Sequence, residues 1–199
     1  MRETSGLHGL GGAVDTHADG EVIRRIAGGD KAAMMTLYQR HHVRVFRFLV
    51  RMVRNEATAE ELVSDVFLDV WRQAGTFGGR SSATTWLLGV ARFKALSHLR
   101  RRTTAPLDDA VAEALEDDAD DPEVVAQKTD KAAIMRACLG RLSLEHREVI
   151  DLVYYHEQGV DEVARILGIP ANTVKTRLFH ARKRLGGLLA EAGVDRGWP

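Results

Sequence analysis

Residues 160–185 read "VDEVARILGIPANTVKTRLFHARKRL", and this stretch decides how the chain folds. Val160–Leu167 is a short amphipathic segment, Gly168-Ile169-Pro170 interrupts it, and Ala171–Leu188 carries a longer helical pattern. That is the pattern of a helix-turn-helix. On a helical wheel with Val174 at zero, Leu178, Ala181 and Leu185 fall within about 40° of it and make a core stripe. Asn172, Thr176, Phe179 and Lys183 lie opposite, with Lys175 and His180 on the flanks. Lys175, Arg177, Arg182, Lys183 and Arg184 add five positive charges to the second helix, and no acid accompanies them. A large aromatic at the middle of a solvent face is unexpected on a helix that only folds. It makes sense in a DNA major groove, where a ring contacts thymine methyls and Asn, Lys and Arg reach base edges or phosphates. A surface helix with one stray Phe is the competing reading.

Outward from this stretch, the chain has 199 residues, room for one medium domain or two small ones. Its composition, 45% hydrophobic with 6% aromatic, fits a soluble, helix-rich protein. No apolar run approaches the roughly 20 residues that span a bilayer, and the first residues lack the apolar core of a signal peptide. A cytoplasmic protein without membrane insertion is expected. Cys138 is the lone cysteine, which excludes an intramolecular disulfide and a thiolate zinc cluster.

Formal net charge is zero, yet the charges are segregated. From Phe77 to Thr103 the charged residues are Arg80, Arg92, Lys94, Arg100, Arg101 and Arg102, all basic. From Thr104 to Ala126 they are Asp108, Asp109, Glu113, Glu116, Asp117, Asp118, Asp120, Asp121 and Glu123, all acidic. With the helix after Pro170, two basic blocks flank an acidic one. This suggests two anion-binding modules joined by a segment that avoids the same anion. Three solvated surfaces would give the same blocks.

The pattern predicts an all-α chain of two small helical domains. Residues 1–18 are Gly-rich and aperiodic, a disordered tail. The first domain, 19–103, opens with a short helix near Asp19 that ends at Gly28-Gly29. Asp30 then caps a long helix from Lys31 to about Arg54, with Asn55 as its stop. Thr58-Ala-Glu-Glu61 reads as a capping box opening the next helix, which Gly75 ends. A loop, Thr76–Ser82, leads to a helix capped by Ser82 and running to about Arg102. Residues 104–129, with Pro106 and Pro122, form an acidic flexible linker. The second domain, 130–190, holds a helix to Gly140, one from a Ser143 cap to about Glu157, and the helix-turn-helix. Residues 191–199 are a tail. No segment alternates with period two, so no sheet is expected.

Enzyme chemistry finds little support. Adjacent His41 and His42 point about 100° apart on a helix and cannot chelate together. His146 and Glu148 lack a partner set and read as helix surface. Cys138, among Ile134, Met135 and Leu139, reads as a buried small hydrophobe. No catalytic residue, metal or cofactor is expected.

The motifs then become specific. "GIPANTVKTRLFHARKRL" within residues 141–188 resembles region 4 of sigma-70 family factors, whose helix-turn-helix reads the minus-35 promoter element. "AEELVSDVFLDVWRQAGTFGGRSSATTWLLGVARFKALSHLRRR" is similar to region 2 of the same family, which binds RNA polymerase and opens the minus-10 element. Both modules in order, joined by a short linker with no third region, resemble the extracytoplasmic-function (ECF) group. One departure is local. Where that family habitually shows Ala-Arg-Asn and a later Asp, this chain reads Ala91-Arg92-Phe93-Lys94 and Ser97, so a minus-10 sequence preference does not transfer.

The resemblance implies a sigma factor that binds core RNA polymerase, directs it to promoters and assists their opening. It implies contact with the clamp of the largest subunit through region 2 and with the flap of the second-largest subunit through region 4. It also implies an anti-sigma factor as a further partner. It places minus-35 DNA against Asn172, Thr173, Lys175, Thr176, Arg177, Phe179, His180, Lys183 and Arg184. Arg177, Arg182 and Arg184 lie nearer the flanks and suit phosphates or bracing. Minus-10 DNA falls to Phe77, Gly78, Arg80, Ser81, Ser82, Arg92, Lys94, Arg100 and Arg101. In that region the glycines permit close approach, Phe77 stacks or packs, and the cations supply a phosphate field. Core polymerase falls to Glu61, Asp65, Phe67 and Asp69, although solubilising helix charges fit the same acids. Trp86 reads as core, and Phe93 is open between core and surface. The linker is either a solvated tether or a nucleic-acid mimic. Competing functions are a stand-alone helix-turn-helix regulator bound to operator duplex and a helical adaptor that binds no DNA.

Overall fold

The computed structural model describes residues 16–104 and 122–194, which form eight α-helices and no strand. Residues 1–15, 105–121 and 195–199, which hold most of the expected tails and acidic linker, lie outside the described residues. The first helix begins at Thr16, three residues before the expected Asp19, and the last takes in Glu191 of the expected C-terminal tail.

The first four helices make one bundle: α1 (Thr16–Ala27), α2 (Lys31–Val53), α3 (Glu56–Gln73) and α4 (Ala83–Thr104). Asp30 caps α2 as expected, its carboxylate accepting from the Ala32 and Ala33 amides at 2.9 and 3.0 Å. Those amides, Ala33 foremost, and the Arg25 guanidinium hold the Asp30 carboxyl below its ordinary range. The next boundary differs from expectation. Arg54 takes the left-handed conformation that ends α2, and Asn55 caps α3 by accepting from the Thr58 amide at 2.8 Å. Thr58 therefore lies inside the first turn, and the helix starts two residues before the supposed capping box. Asn55 performs the capping bond earlier, so the helix has no need to wait for Thr58. Past α3, a 3₁₀ turn at Ala74–Thr76 leads into the loop, and Ser82 caps α4 through the Thr85 amide at 3.0 Å.

The bundle core is Ile23 and Ile26 from α1, Leu37, Phe48 and Leu49 from α2, Val66 and Val70 from α3, and Leu87, Leu88 and Ala91 from α4. A polar triad with a buried Asp19–His41 pair pins α1 to α2. Asp19, 1% exposed, accepts from Arg40 at 2.7 Å and lies 2.8 Å from His41 Nε2. Burial keeps His41 below its ordinary pKa, against the pull of Asp19.

The second group comprises α5 (Pro122–Gly140), α6 (Leu144–Ile150), α7 (Val160–Leu167) and α8 (Ala171–Glu191). Helix α5 starts eight residues before the expected Asp130, at the proline, a residue suited to a first helical turn. Helix α6 continues through a wider π-helical turn, Asp151–Tyr155. Cys138 is buried and free, as expected. Between α7 and α8, Gly168 takes φ +67°, which favours glycine, and this sets the tight turn of the helix-turn-helix.

The two groups pack against each other, α4 against α7 and α2 against α6. The seam is polar. Arg92 donates to both oxygens of Glu148 at 2.8 and 3.4 Å, and Arg51 donates to Asp151 at 3.0 Å. Thr85 donates to Gln158 at 3.1 Å. His156 meets Phe48 edge to face at 5.6 Å, and Arg51 stacks on Tyr155 at 4.0 Å. Glu148, at 3% exposure, is not the helix-surface residue the sequence suggested. Its partner comes from a helix more than fifty residues earlier, so no local pattern could show the pairing.

Candidate nucleic-acid interface

Helix α8 separates its two faces as the wheel requires. Val174, Leu178, Ala181 and Leu188 are buried, and Leu185 is half-buried. Asn172, Thr173, Lys175, Thr176, Phe179, His180, Lys183 and Arg184 are exposed. Phe179 is 63% exposed and meets His180 edge to face at 5.4 Å. The Thr176 hydroxyl is turned inward, donating to the Asn172 carbonyl at 3.1 Å. Two flank arginines brace the domain: Arg177 lies 3.2 Å from Glu145, and Arg182 donates to the Tyr154 hydroxyl at 2.5 Å. The result is an exposed ridge of polar and basic side chains with one apolar ring at its crest.

The loop before α4 is built differently. Phe77 is half-buried against Trp86, ring centroids 5.2 Å apart, and both rings pack on the bundle core. Gly78, Gly79 and Arg80 are exposed, and Ser81 and Ser82 are half-buried. Gly79 takes φ +66°, a conformation that side chains resist. Beyond the loop, α4 presents its cations in two states. Arg100 and Arg101 are exposed at the helix end, near His98, whose imidazole burial and the Arg102 and Arg101 charges hold below its ordinary pKa. Lys94 is engaged by Asp69 at 2.7 Å and Arg92 by Glu148. Burial pushes the Glu148 carboxyl above its ordinary range, and Arg92 opposes that push.

On α3, Glu60, Glu61, Asp65 and Leu68 are exposed, and Asp69 is half-buried in its pair with Lys94. Phe67 must be reassigned. It is 5% exposed and packs edge-on against Tyr38 at 4.9 Å, so it belongs to the core rather than to a docking face. The exposed large apolar residue on that helix is its neighbour Leu68, 46% exposed. Sequence reasoning missed Leu68 because it treated the apolar set of α3 as one stripe. It also missed Glu148, Asp151 and Gln158, polar residues with no local cue to burial.

With this geometry in hand, comparisons with known proteins agree on one family. The sigma-70 region 2 model matches residues 37–105 and the sigma-70 region 4 model residues 132–185. The chain is 31% identical over 184 residues to the ECF RNA polymerase sigma factor SigM of Mycobacterium tuberculosis, spanning 91% of this chain and 89% of that one. It is likewise 31% identical over 171 residues to SigL of the same organism, spanning 85% and 96%. Among solved structures it is similar in fold to CnrH in complex with the cytosolic domain of CnrY, with a TM-score of 0.67 and 24% identity over 87% of this chain and 98% of that one. Sigma factor RpoE in complex with the anti-sigma factor NepR from Bartonella quintana gives a TM-score of 0.62 and 23% identity, covering 80% and 96%. Two region models in order, together with relatives above 30% identity along most of the chain, place this protein in the extracytoplasmic-function group of the sigma-70 family.

Proposed function

We propose that this sigma factor binds core RNA polymerase, directs it to promoters and divides the DNA between two modules, residues 19–103 and 130–190. The exposed α8 ridge reads a duplex upstream element. Asn172, Thr173, Lys175, Thr176, Phe179 and His180 face bases, while Lys183, Arg184 and Arg177 hold phosphates or brace the helix. The loop Phe77–Ser82, with Arg92, Lys94, Arg100 and Arg101, takes the strand that leaves the duplex at the downstream element. There, stacking and a basic track replace base pairing, at about 1–3 kcal/mol per stacked base. Glu61, Asp65, Asp69 and the exposed Leu68 on α3 dock on the clamp of the largest polymerase subunit, and the 130–190 module docks on the flap of the second-largest. An anti-sigma factor is the expected regulator, in keeping with the complex in which the RpoE neighbour was seen. The chain works in the cytoplasm, without a catalytic residue or cofactor of its own; no described helix is long and apolar enough to cross a membrane.

One observation carries the proposal: a single chain of this family presents an exposed basic ridge with an apolar crest on α8 and a loop followed by a basic helix on a separate helical group. The test is run-off transcription by core polymerase, with and without the protein, from a library of random promoters. Promoter-selective stimulation is expected. Absence of selectivity would overturn the proposal, and binding to operator duplex without any affinity for core polymerase would favour a stand-alone regulator.

A further inference from the structure

We propose that the acidic segment 105–121 docks on an arginine stripe formed by Arg40, Arg44, Arg47 and Arg51 of α2 and Arg54 at its cap. The five positions repeat at four, three, four and three residues, so they share one face of the helix, about 21 Å long. Two of them are neutralised within the fold: Arg40 by Asp19 at 2.7 Å and Arg51 by Asp151 at 3.0 Å. Arg44, Arg47 and Arg54 form no ion pair among the described residues; Arg44 is half-buried and the other two are exposed. Arg147 of α6 adds a further cation beside Arg54. Burial first, and then the Arg54 charge, holds the Arg147 pKa below its ordinary range, and its Nε is buried without a hydrogen-bond partner. A row of planar guanidinium forks with open donors suits an elongated partner that carries many carboxylates or phosphates.

The occupant follows from where the connection between the two helical groups leaves and returns. Lys94 pairs with Asp69, and Glu61 acts on His98, so α4 runs antiparallel to α3. Tyr38 meets Phe67, and α3 begins straight after Arg54 and Asn55, so α3 is antiparallel to α2. Helix α4 therefore ends, at Thr104, on the Arg54 end of the bundle. The connection comes back to the same end: a Cβ on Gly140, the last residue of α5, would lie 3.1 Å from the Arg54 guanidinium. Segment 105–121 carries eight carboxylates and no cation. Asp109, Glu113, Glu116 and Asp120 repeat at four, three and four residues, the spacing of Arg40, Arg44, Arg47 and Arg51. Tethered at Thr104, the segment meets the stripe at an effective concentration on the order of millimolar, an advantage that no free polyanion has. Docked there, it screens the stripe of the free protein from nucleic acid.

The test places a nitroxide on Ala114→Cys of the full-length protein and reads the broadening of backbone amide resonances. Cys138 is buried, and the parent protein checks that it takes no label. Broadening is expected around Arg44 and Arg47 at low salt, fading at about 0.5 M salt and absent in Arg44→Gln/Arg47→Gln. A second arm neutralises the segment with Asp109→Asn, Glu113→Gln, Glu116→Gln and Asp120→Asn. The free protein should then bind a random-sequence single strand more tightly, with a salt slope steeper by about two units for the three freed arginines. Adding Arg44→Gln, Arg47→Gln and Arg54→Gln should cancel that gain. Broadening on α8, or nowhere, overturns the docking, as does a gain that survives loss of the three arginines. If Arg44→Gln/Arg47→Gln weakens single-strand binding while the nitroxide broadens nothing on α2, the stripe takes nucleic acid instead and the docking is overturned.

Discussion

The two surfaces proposed to meet DNA are prepared to different degrees. On α8, Lys175, Lys183, Arg184 and the Phe179 ring stand exposed to solvent. On α4, Arg92 and Lys94 already hold carboxylates, one from the other helical group and one from α3. A surface that reads duplex can be finished in advance, because the shape of B-form DNA is given before binding. A surface that takes a melted strand, as proposed for α4, has its ligand only after opening, and Glu148 and Asp69 hold the Arg92 and Lys94 cations in this structure. In the proposed role, Arg92 reaches a promoter phosphate only when Glu148 releases it, and the proposal therefore expects strand capture to be linked to loosening of the contact between the two groups.

The largest expected effect tests whether the two faces of α8 are as separate as they look. Leu178→Ala removes a buried side chain and should cost about 2–5 kcal/mol of stability in the C-terminal group, read by denaturant titration. Its neighbour Phe179→Ala should change stability by less than about 0.5 kcal/mol yet cost about 1–3 kcal/mol of discrimination within the upstream element. Should Phe179→Ala unfold the module instead, the ridge would be part of the core.

Next comes the seam. Glu148→Ala removes both acceptors of Arg92 and empties a buried position, which should weaken the contact between the groups by about 1–3 kcal/mol. A larger radius of gyration in scattering, together with tighter binding of single-stranded DNA by the free protein, is the expected readout. Arg184→Ala, by contrast, leaves the seam alone. It should weaken every promoter alike and lower the salt dependence of binding by about one unit of slope.

The smallest effect is a pH tilt of the same seam. Burial raises the Glu148 pKa in the packed arrangement, and once the groups separate the carboxyl returns to its ordinary value. The packed form therefore binds more protons between those two values. Packing should be favoured as pH falls into that window and lose this contribution as pH rises through it. Arg92, Arg177 and Glu145 face the group and modulate the window. Glu148→Gln should abolish the tilt in a scattering titration.

The same contrast explains what could be read from the chain alone. The α8 faces were legible because burial there follows one local period, and Phe179 breaks it in a single visible place. Ser82, Asp30 and Ser143 announced their helices because a cap bonds amides two or three residues away. The seam was not legible: Arg92 and Glu148 lie 56 residues apart, Arg51 and Asp151 100 apart, and each looks like a surface residue in its own window. Phe67 misled for the opposite reason, since an acidic helix face suggested docking while its aromatic faced Tyr38.

The most direct measurement of the central claim is permanganate footprinting of the complex formed by holoenzyme on a library-selected promoter. Permanganate reports unstacked thymines. The account predicts reactive thymines in the downstream block alone, an upstream block that is bound yet stays unreactive, and loss of the reactive set when Arg80 and Ser81 are changed to Ala. Reactive thymines in both blocks, or in neither while transcription still starts selectively, would contradict the division of duplex and single strand between the two surfaces.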